Sequence, residues 1–76
     1  MTDLNSRYGM NPPHSEVVNA CQHIAPCDTL DMGCSNGRNA LYLSQQGFSV
    51  TAVDRNANAI QALQSIVVKE GIENIE

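Results

Sequence analysis

The stretch Thr29-Leu30-Asp31-Met32, followed by Gly33-Cys34-Ser35-Asn36-Gly37 and then Arg38-Asn39-Ala40-Leu41-Tyr42-Leu43, constrains the chain more than any other feature. A short apolar run, a turn with two glycines and an amphipathic segment closed by Gly47 read as strand, tight turn and helix, with Gly47 suited to the left-handed position after a helix end. A second run, Phe48-Ser49-Val50-Thr51-Ala52-Val53, is rich in β-branched residues and reads as a strand ending at Asp54. Two strands joined by one helix in so short a span demand parallel pairing.

The flanks extend this unit. From Ser15, the apolar positions Val17, Cys21, Ile24 and Ala25 fall on one helical stripe, with Glu16 in the first turn and Pro26 as a stop, predicting a helix of about three turns. Asn56 is placed to cap a further helix over Ala57 to Glu70, whose stripe is Ile60, Leu63, Ile66 and Val67 and which Gly71 ends. Residues 1–13 are polar and finish in Pro12-Pro13, which favours an extended approach and predicts an arm or lid. The fold class expected is therefore α/β: a truncated, Rossmann-like doubly wound parallel sheet in the order α-β-α-β-α, with an arm over 1–13 and a partial domain over 14–76. Parallel strands need cover on both faces, so a two-stranded unit is expected to be cut short, with Ile72 to Glu76 as the approach to a third strand.

Composition excludes several function classes. The 76 residues carry a formal net charge of −4, and Arg7, Arg38, Arg55 and Lys69 are scattered, which disfavours nucleic acid as a partner. Cys21, Cys27 and Cys34 are too few and wrongly spaced for a four-ligand zinc site, and an odd count fits a reduced, cytoplasmic protein with no metal. No signal peptide is visible at Met1-Thr2-Asp3-Leu4-Asn5, and no apolar run approaches the ~20 residues that cross a bilayer, so no membrane partner is expected.

The chemistry lies in the glycine turn and the two acids beside it. Bare backbone at Gly33 and Gly37 and the free N–H groups of the helix that follows make a seat for a ligand with a polar, partly anionic end. Asp54 stands at the end of the next strand, roughly 20 residues beyond the glycines, where an acid reads ribose hydroxyls. Asp31 precedes the first glycine, and an acid there repels a pyrophosphate but attracts an ammonium, which favours S-adenosylmethionine over a dinucleotide. The same letters also spell G-x-S-x-G, the form of a hydrolase elbow, but His14 and His23 both precede Ser35 and no histidine follows it. A helix start can lower a thiol pKa at Cys34, against which stands its plainer role as a small turn residue.

The run from Leu30 to Leu43 resembles the first motif of the tellurite-resistance (TehB-type) class I methyltransferases, which reads close to L-D-L-G-C-G-N-G-R-N-S-L-Y-L. Gly47 to Asp54 resembles that family's second strand, His14-Ser15-Glu16-Val17 its first helix opening, and Tyr8 stands where the family has a tyrosine. The resemblance covers Tyr8 to Ala57 and departs at Ser35, for a glycine, and at Pro13, for a threonine. It implies S-adenosyl-L-methionine as cofactor, with Asp31 on the methionine ammonium and Gly33, Cys34 and Asn36 lining the turn. Arg38 is placed for the carboxylate, Asp54 for the ribose, Arg55 and Asn56 for the adenine border, and Tyr8 and His14 for closure over the sulfonium. It implies methyl transfer to a small-molecule acceptor such as tellurite or selenite, with the catalytic residues outside this stretch and no activity from the chain alone. The alternative expectation is an inactive cofactor-binding fragment that forms a homo-oligomer through exposed sheet edges or docks on a partner.

Overall fold

The computed structural model describes residues 4–76; the first three residues of the expected arm lie outside them. In chain order the elements are α1 (Leu4–Arg7), α2 (Ser15–Cys21), β1 (Asp28–Met32), α3 (Arg38–Gln45), β2 (Ser49–Val53) and α4 (Ala57–Glu70).

The β-α-β unit has the parallel pairing that its spacing requires. Asp28 pairs with Ser49 and the register runs without a slip to Met32 with Val53, so both strands end together on the side where the glycine turn begins. Gly47 and Gly71 follow α3 and α4 with positive φ, as expected of both. Asn56 caps α4 by accepting from the N–H groups of Asn58 and Ala59 at 2.9 and 3.3 Å.

The last residues approach a third strand, as expected. Ile75 bridges Val50 in parallel sense on the edge of β2 away from β1. The Val50 N–H donates to the Asn74 carbonyl, the Glu76 N–H to the Val50 carbonyl and the Ala52 N–H to the Glu76 carbonyl, at 2.7 to 2.8 Å. The sheet has two strands, and this single bridge extends it on the β2 side, the edge on which one half of a doubly wound sheet continues.

Every second strand residue points to one face, and helices cover only that face. Ala40 and Leu41 of α3 are fully buried, and Leu43, Phe48, Val50, Leu63, Ile66 and Ile75 complete the core with Leu4 and Cys34. The expected α4 stripe is the observed one: Leu63 and Ile66 are buried, and Ile60 and Val67 pack on them half-buried. On the opposite face Leu30, Met32 and Val53 remain 59%, 73% and 45% exposed. Asn74 locks the lower end of α3: its amide donates to the carbonyls of Ser44 and Phe48, and its carbonyl oxygen accepts from the Ser44 hydroxyl.

Two expectations are corrected. The helix from Ser15 has two turns rather than three. Its carbonyls at Asn19 and Ala20 are taken by the N–H groups of Gln22, His23 and Ile24 in tightening turns, and Ile24 points to solvent. The amino-terminal arm is not simply extended: Leu4–Arg7 forms a helical turn packed against α3, with Leu4 and Asn5 buried. Tertiary burial of Leu4 supplies what a polar local sequence does not.

Candidate functional site

The glycine turn hangs between β1 and α3 and rests on the end of β2. Gly33, Ser35 and Gly37 all have positive φ, at 69°, 54° and 98°. Only at Gly37 is there also no room for a side chain. A Cβ there would stand 2.4 Å from Cδ1 of buried Leu63, whereas a Cβ on Gly33 would meet nothing within 4 Å. The space over Gly33 is open, as a ligand seat requires. Ser35 holds a left-handed conformation that its Cβ opposes, so the hydroxymethyl group is carried at a cost.

Two hydrogen bonds pin the turn to β2. The Cys34 N–H donates to the Val53 carbonyl at 3.0 Å, and the Ser35 N–H donates to Asp54 Oδ2 at 2.8 Å. The other Asp54 oxygen accepts from the Asn56 N–H at 2.7 Å. These N–H groups, Asn56 first and Ser35 second, hold the Asp54 carboxyl below the usual carboxylate range. Each oxygen keeps a further lone pair for a ligand hydroxyl.

Asp31 has the opposite environment. It is half-buried, and its Oδ2 is buried with no hydrogen-bond partner among the described residues. Burial first, and the Asp54 carboxylate second, push its carboxyl up. A buried acceptor left unpaired is costly, and a cationic partner would repay that cost.

Beside it, the start of α3 is free for an anion. His14 and Asn56 cap α2 and α4, but Gly37 at the head of α3 has no side chain to cap its first-turn N–H groups. Those groups carry the positive end of the helix dipole. Arg38, half-buried, begins the helix. An acceptor for a cation and a donor set for an anion thus stand side by side, the complement of a zwitterionic amino-acid end.

The structure brings Asp31, Gly33, Cys34, Asn36, Arg38 and Asp54 around one turn, with exposed Arg55 next to Asp54. His14 joins them indirectly. Its N–H donates to Asn39 Oδ1 at 2.9 Å, beside Arg38, while its Nδ1 accepts from the Glu16 N–H and caps α2.

Two residues differ from expectation. The side chain of Cys34 is buried in the core and its carbonyl accepts from the Gly37 N–H at 2.9 Å, so both backbone groups already serve the turn. Burial first, then Asp31 and Asp54, push its thiol pKa up, the opposite of what a reactive thiolate needs. Tyr8 does not close over the turn. Its hydroxyl donates to Glu70 Oε2 at 2.5 Å at the far end of α4, next to the Arg7–Glu70 ion pair, and Lys69 lies over its ring. A carboxylate within reach of both Arg7 and Tyr8 draws the segment there.

Sequence reasoning passed over Asn5, whose side-chain amide donates to the Arg38 carbonyl at 2.7 Å and to the Asn11 carbonyl at 3.2 Å. An asparagine in a polar stretch carries no local signal of burial. Among the described residues no group of three or more His, Cys, Asp or Glu side chains is placed to hold a metal, and no helix is long and apolar enough to cross a membrane.

Comparison with known proteins places the chain in a family. The sequence model of the family described as tellurite resistance protein TehB matches residues 3–76. The probable S-adenosyl-L-methionine-dependent methyltransferase TehB of Haemophilus influenzae (strain 10810) is 44% identical over 69 residues, covering 91% of this chain and 24% of the relative. The crystal structure of TehB from Haemophilus influenzae superposes with a TM-score of 0.88 at 42% identity, over 95% of this chain and 25% of that one. A SAM-dependent methyltransferase from Aquifex aeolicus superposes with a TM-score of 0.64 at 26% identity, over 80% of this chain and 34% of that one. The chain therefore spans about a quarter of the length of the curated TehB relative it matches.

Proposed function

The chain belongs to the family of the tellurite resistance protein TehB, and from that premise we propose that residues 28–56 form the amino-terminal half of an S-adenosylmethionine pocket in a methyltransferase. The observation that carries the proposal is the unpartnered, buried Oδ2 of Asp31 beside the uncapped start of α3. A methionine end, with ammonium and carboxylate on one carbon, satisfies both at once.

In this reading Asp31 takes the ammonium, and the first-turn N–H groups of α3 with Arg38 take the carboxylate. Gly33 and Asn36 leave backbone open to the ligand, while Cys34 braces the turn from the core. Asp54 accepts the ribose hydroxyls on lone pairs that Ser35 and Asn56 leave free, and Arg55 and Asn56 border the adenine. His14 stands close enough to α3, through Asn39, to face the same site.

When bound, the cofactor supplies an electrophilic methyl group on a sulfonium, and the family points to a small soft acceptor such as tellurite or selenite. What these residues contribute is position. The Asp54 carboxylate is fixed by backbone hydrogen bonds before the ligand arrives, and the glycine turn is pinned to β2, so orientation costs little at the moment of reaction. The three cysteines are free, which suits a reducing cytoplasm. Calorimetric titration with S-adenosylmethionine tests the proposal: saturable binding that Asp54→Ala weakens at least tenfold supports it, and binding indifferent to that change refutes it.

One observation favours a second reading. Leu30, Met32 and Val53 form an exposed apolar face on parallel strands, which such strands do not ordinarily leave open. A cofactor-binding piece that associates with itself or a partner over this face would cover it. Sedimentation at increasing concentration decides: a concentration-dependent dimer that Met32→Lys abolishes supports this reading, and a monomer throughout removes self-association.

A further inference from the structure

We infer that Asn5 is a positioning residue for the cofactor turn, acting through the Arg38 carbonyl to hold the first turn of α3 against the site. Its functional half rests on the cofactor reading above. Asn5 is 1% exposed, and its side-chain N–H₂ donates to the carbonyl of Arg38, the first residue of α3, and to that of Asn11. A second tie follows at the next residue, where Asn39 Oδ1 accepts from the His14 N–H. Both ends of the segment 5–14 therefore land on the two residues that open α3. Between them Arg7 and Tyr8 fasten the segment to Glu70 on α4.

The start of α3 needs such a hold. It follows a turn in which Gly33, Ser35 and Gly37 all take positive φ, and it lacks the side-chain cap that fixes the entry of α2 and α4. The opposite end of α3 is bolted separately, by Asn74 to Ser44 and Phe48. A helix held at each end by one asparagine amide offers an internal control. Loss of Asn5 should loosen the end that faces the ligand, and loss of Asn74 the end that does not.

Amide hydrogen exchange and S-adenosylhomocysteine titration on the whole chain, for Asn5→Ala and Asn74→Ala, separate positioning from plain stability. For Asn5→Ala, exchange at Leu41 and Tyr42 is expected to accelerate about tenfold more than at Val50, with S-adenosylhomocysteine bound about fivefold more weakly. Asn74→Ala is expected to lower the melting temperature comparably but to change affinity by less than about twofold. Uniform acceleration along the chain, or equal loss of affinity in both variants, would overturn the inference. A local exchange response in a parent chain that binds no S-adenosylhomocysteine contradicts the cofactor reading and with it this functional half. Should Asn5→Ala fail to fold, Asn39→Ala removes the neighbouring tie without emptying a buried site. The same local response, at a smaller size, is expected there, and a uniform one would count against the inference equally.

Discussion

The Ser35 N–H donates to Asp54 Oδ2 at 2.8 Å, so the residue that departs from the family's glycine is also the one that fixes the acid on the neighbouring strand. Backbone makes this bond, and it survives any side chain at position 35 that tolerates φ near +54°.

Ser35→Gly is accordingly expected to help. Removing a Cβ from the left-handed region recovers about 1 kcal/mol or slightly more. The freer unfolded chain returns roughly half of it. The expected net gain is about 0.5 kcal/mol in thermal unfolding, with S-adenosylmethionine bound at least as tightly. A loss of stability would show that the serine hydroxyl makes a compensating contact.

Gly37→Ala should do the reverse. The new Cβ meets Leu63 Cδ1 at 2.4 Å in a packed core, and φ of +98° is hostile to any side chain. Overpacking and backbone strain together predict a loss of about 3 kcal/mol, measured by urea unfolding. Gly33→Ala, with open space above it, should cost less stability and more affinity.

Asp31→Asn separates stability from function. The Asp31 carboxyl is pushed up by burial and by Asp54, so the folded chain holds its proton more tightly than the unfolded chain does. Its charge therefore destabilises the unliganded fold as pH rises from the ordinary carboxylate value through the raised one. Asn should raise neutral-pH stability, read as a higher melting temperature of the unliganded chain, and abolish measurable cofactor binding. Asp54 has the opposite sign: its carboxyl is depressed, so its contribution is present above the unfolded value and lost as pH falls through the folded one. An Asp54→Asn chain should show a flatter acid limb in a pH series of melting temperatures.

Tyr8→Phe tests where the amino-terminal segment is held. The hydroxyl serves Glu70 at the far end of α4, away from the glycine turn, so affinity for S-adenosylmethionine should change by less than about twofold. A tenfold loss would move Tyr8 back to the pocket.

Much of this was legible because local chemistry and tertiary context agree. Asn56 announces α4, and its side chain is the cap. Val50 to Val53 read as a strand and are one, and the acids at Asp31 and Asp54 fall beside the turn as their strand ends require. Legibility fails where long-range contacts decide. Nothing near Leu4 and Asn5 signals burial, because the partners that bury them lie on α3. The stripe through Ile24 promises a third turn of α2, but carbonyl groups at Asn19 and Ala20 are satisfied by tightening turns first. The approach to a third strand read from Ile72 to Glu76 is there in outline, as the bridge from Ile75 to the open edge at Val50.

In the proposed pocket the glycine turn holds the amino-acid end of S-adenosylmethionine and Asp54 beside it holds the ribose. Mapping amide shifts of the chain in a titration with that cofactor tests this arrangement most directly. Saturable shifts are expected at Gly33 to Arg38 and at Asp54 to Asn56, lost in Asp31→Asn. Shifts centred elsewhere, or undiminished by Asp31→Asn, would contradict it.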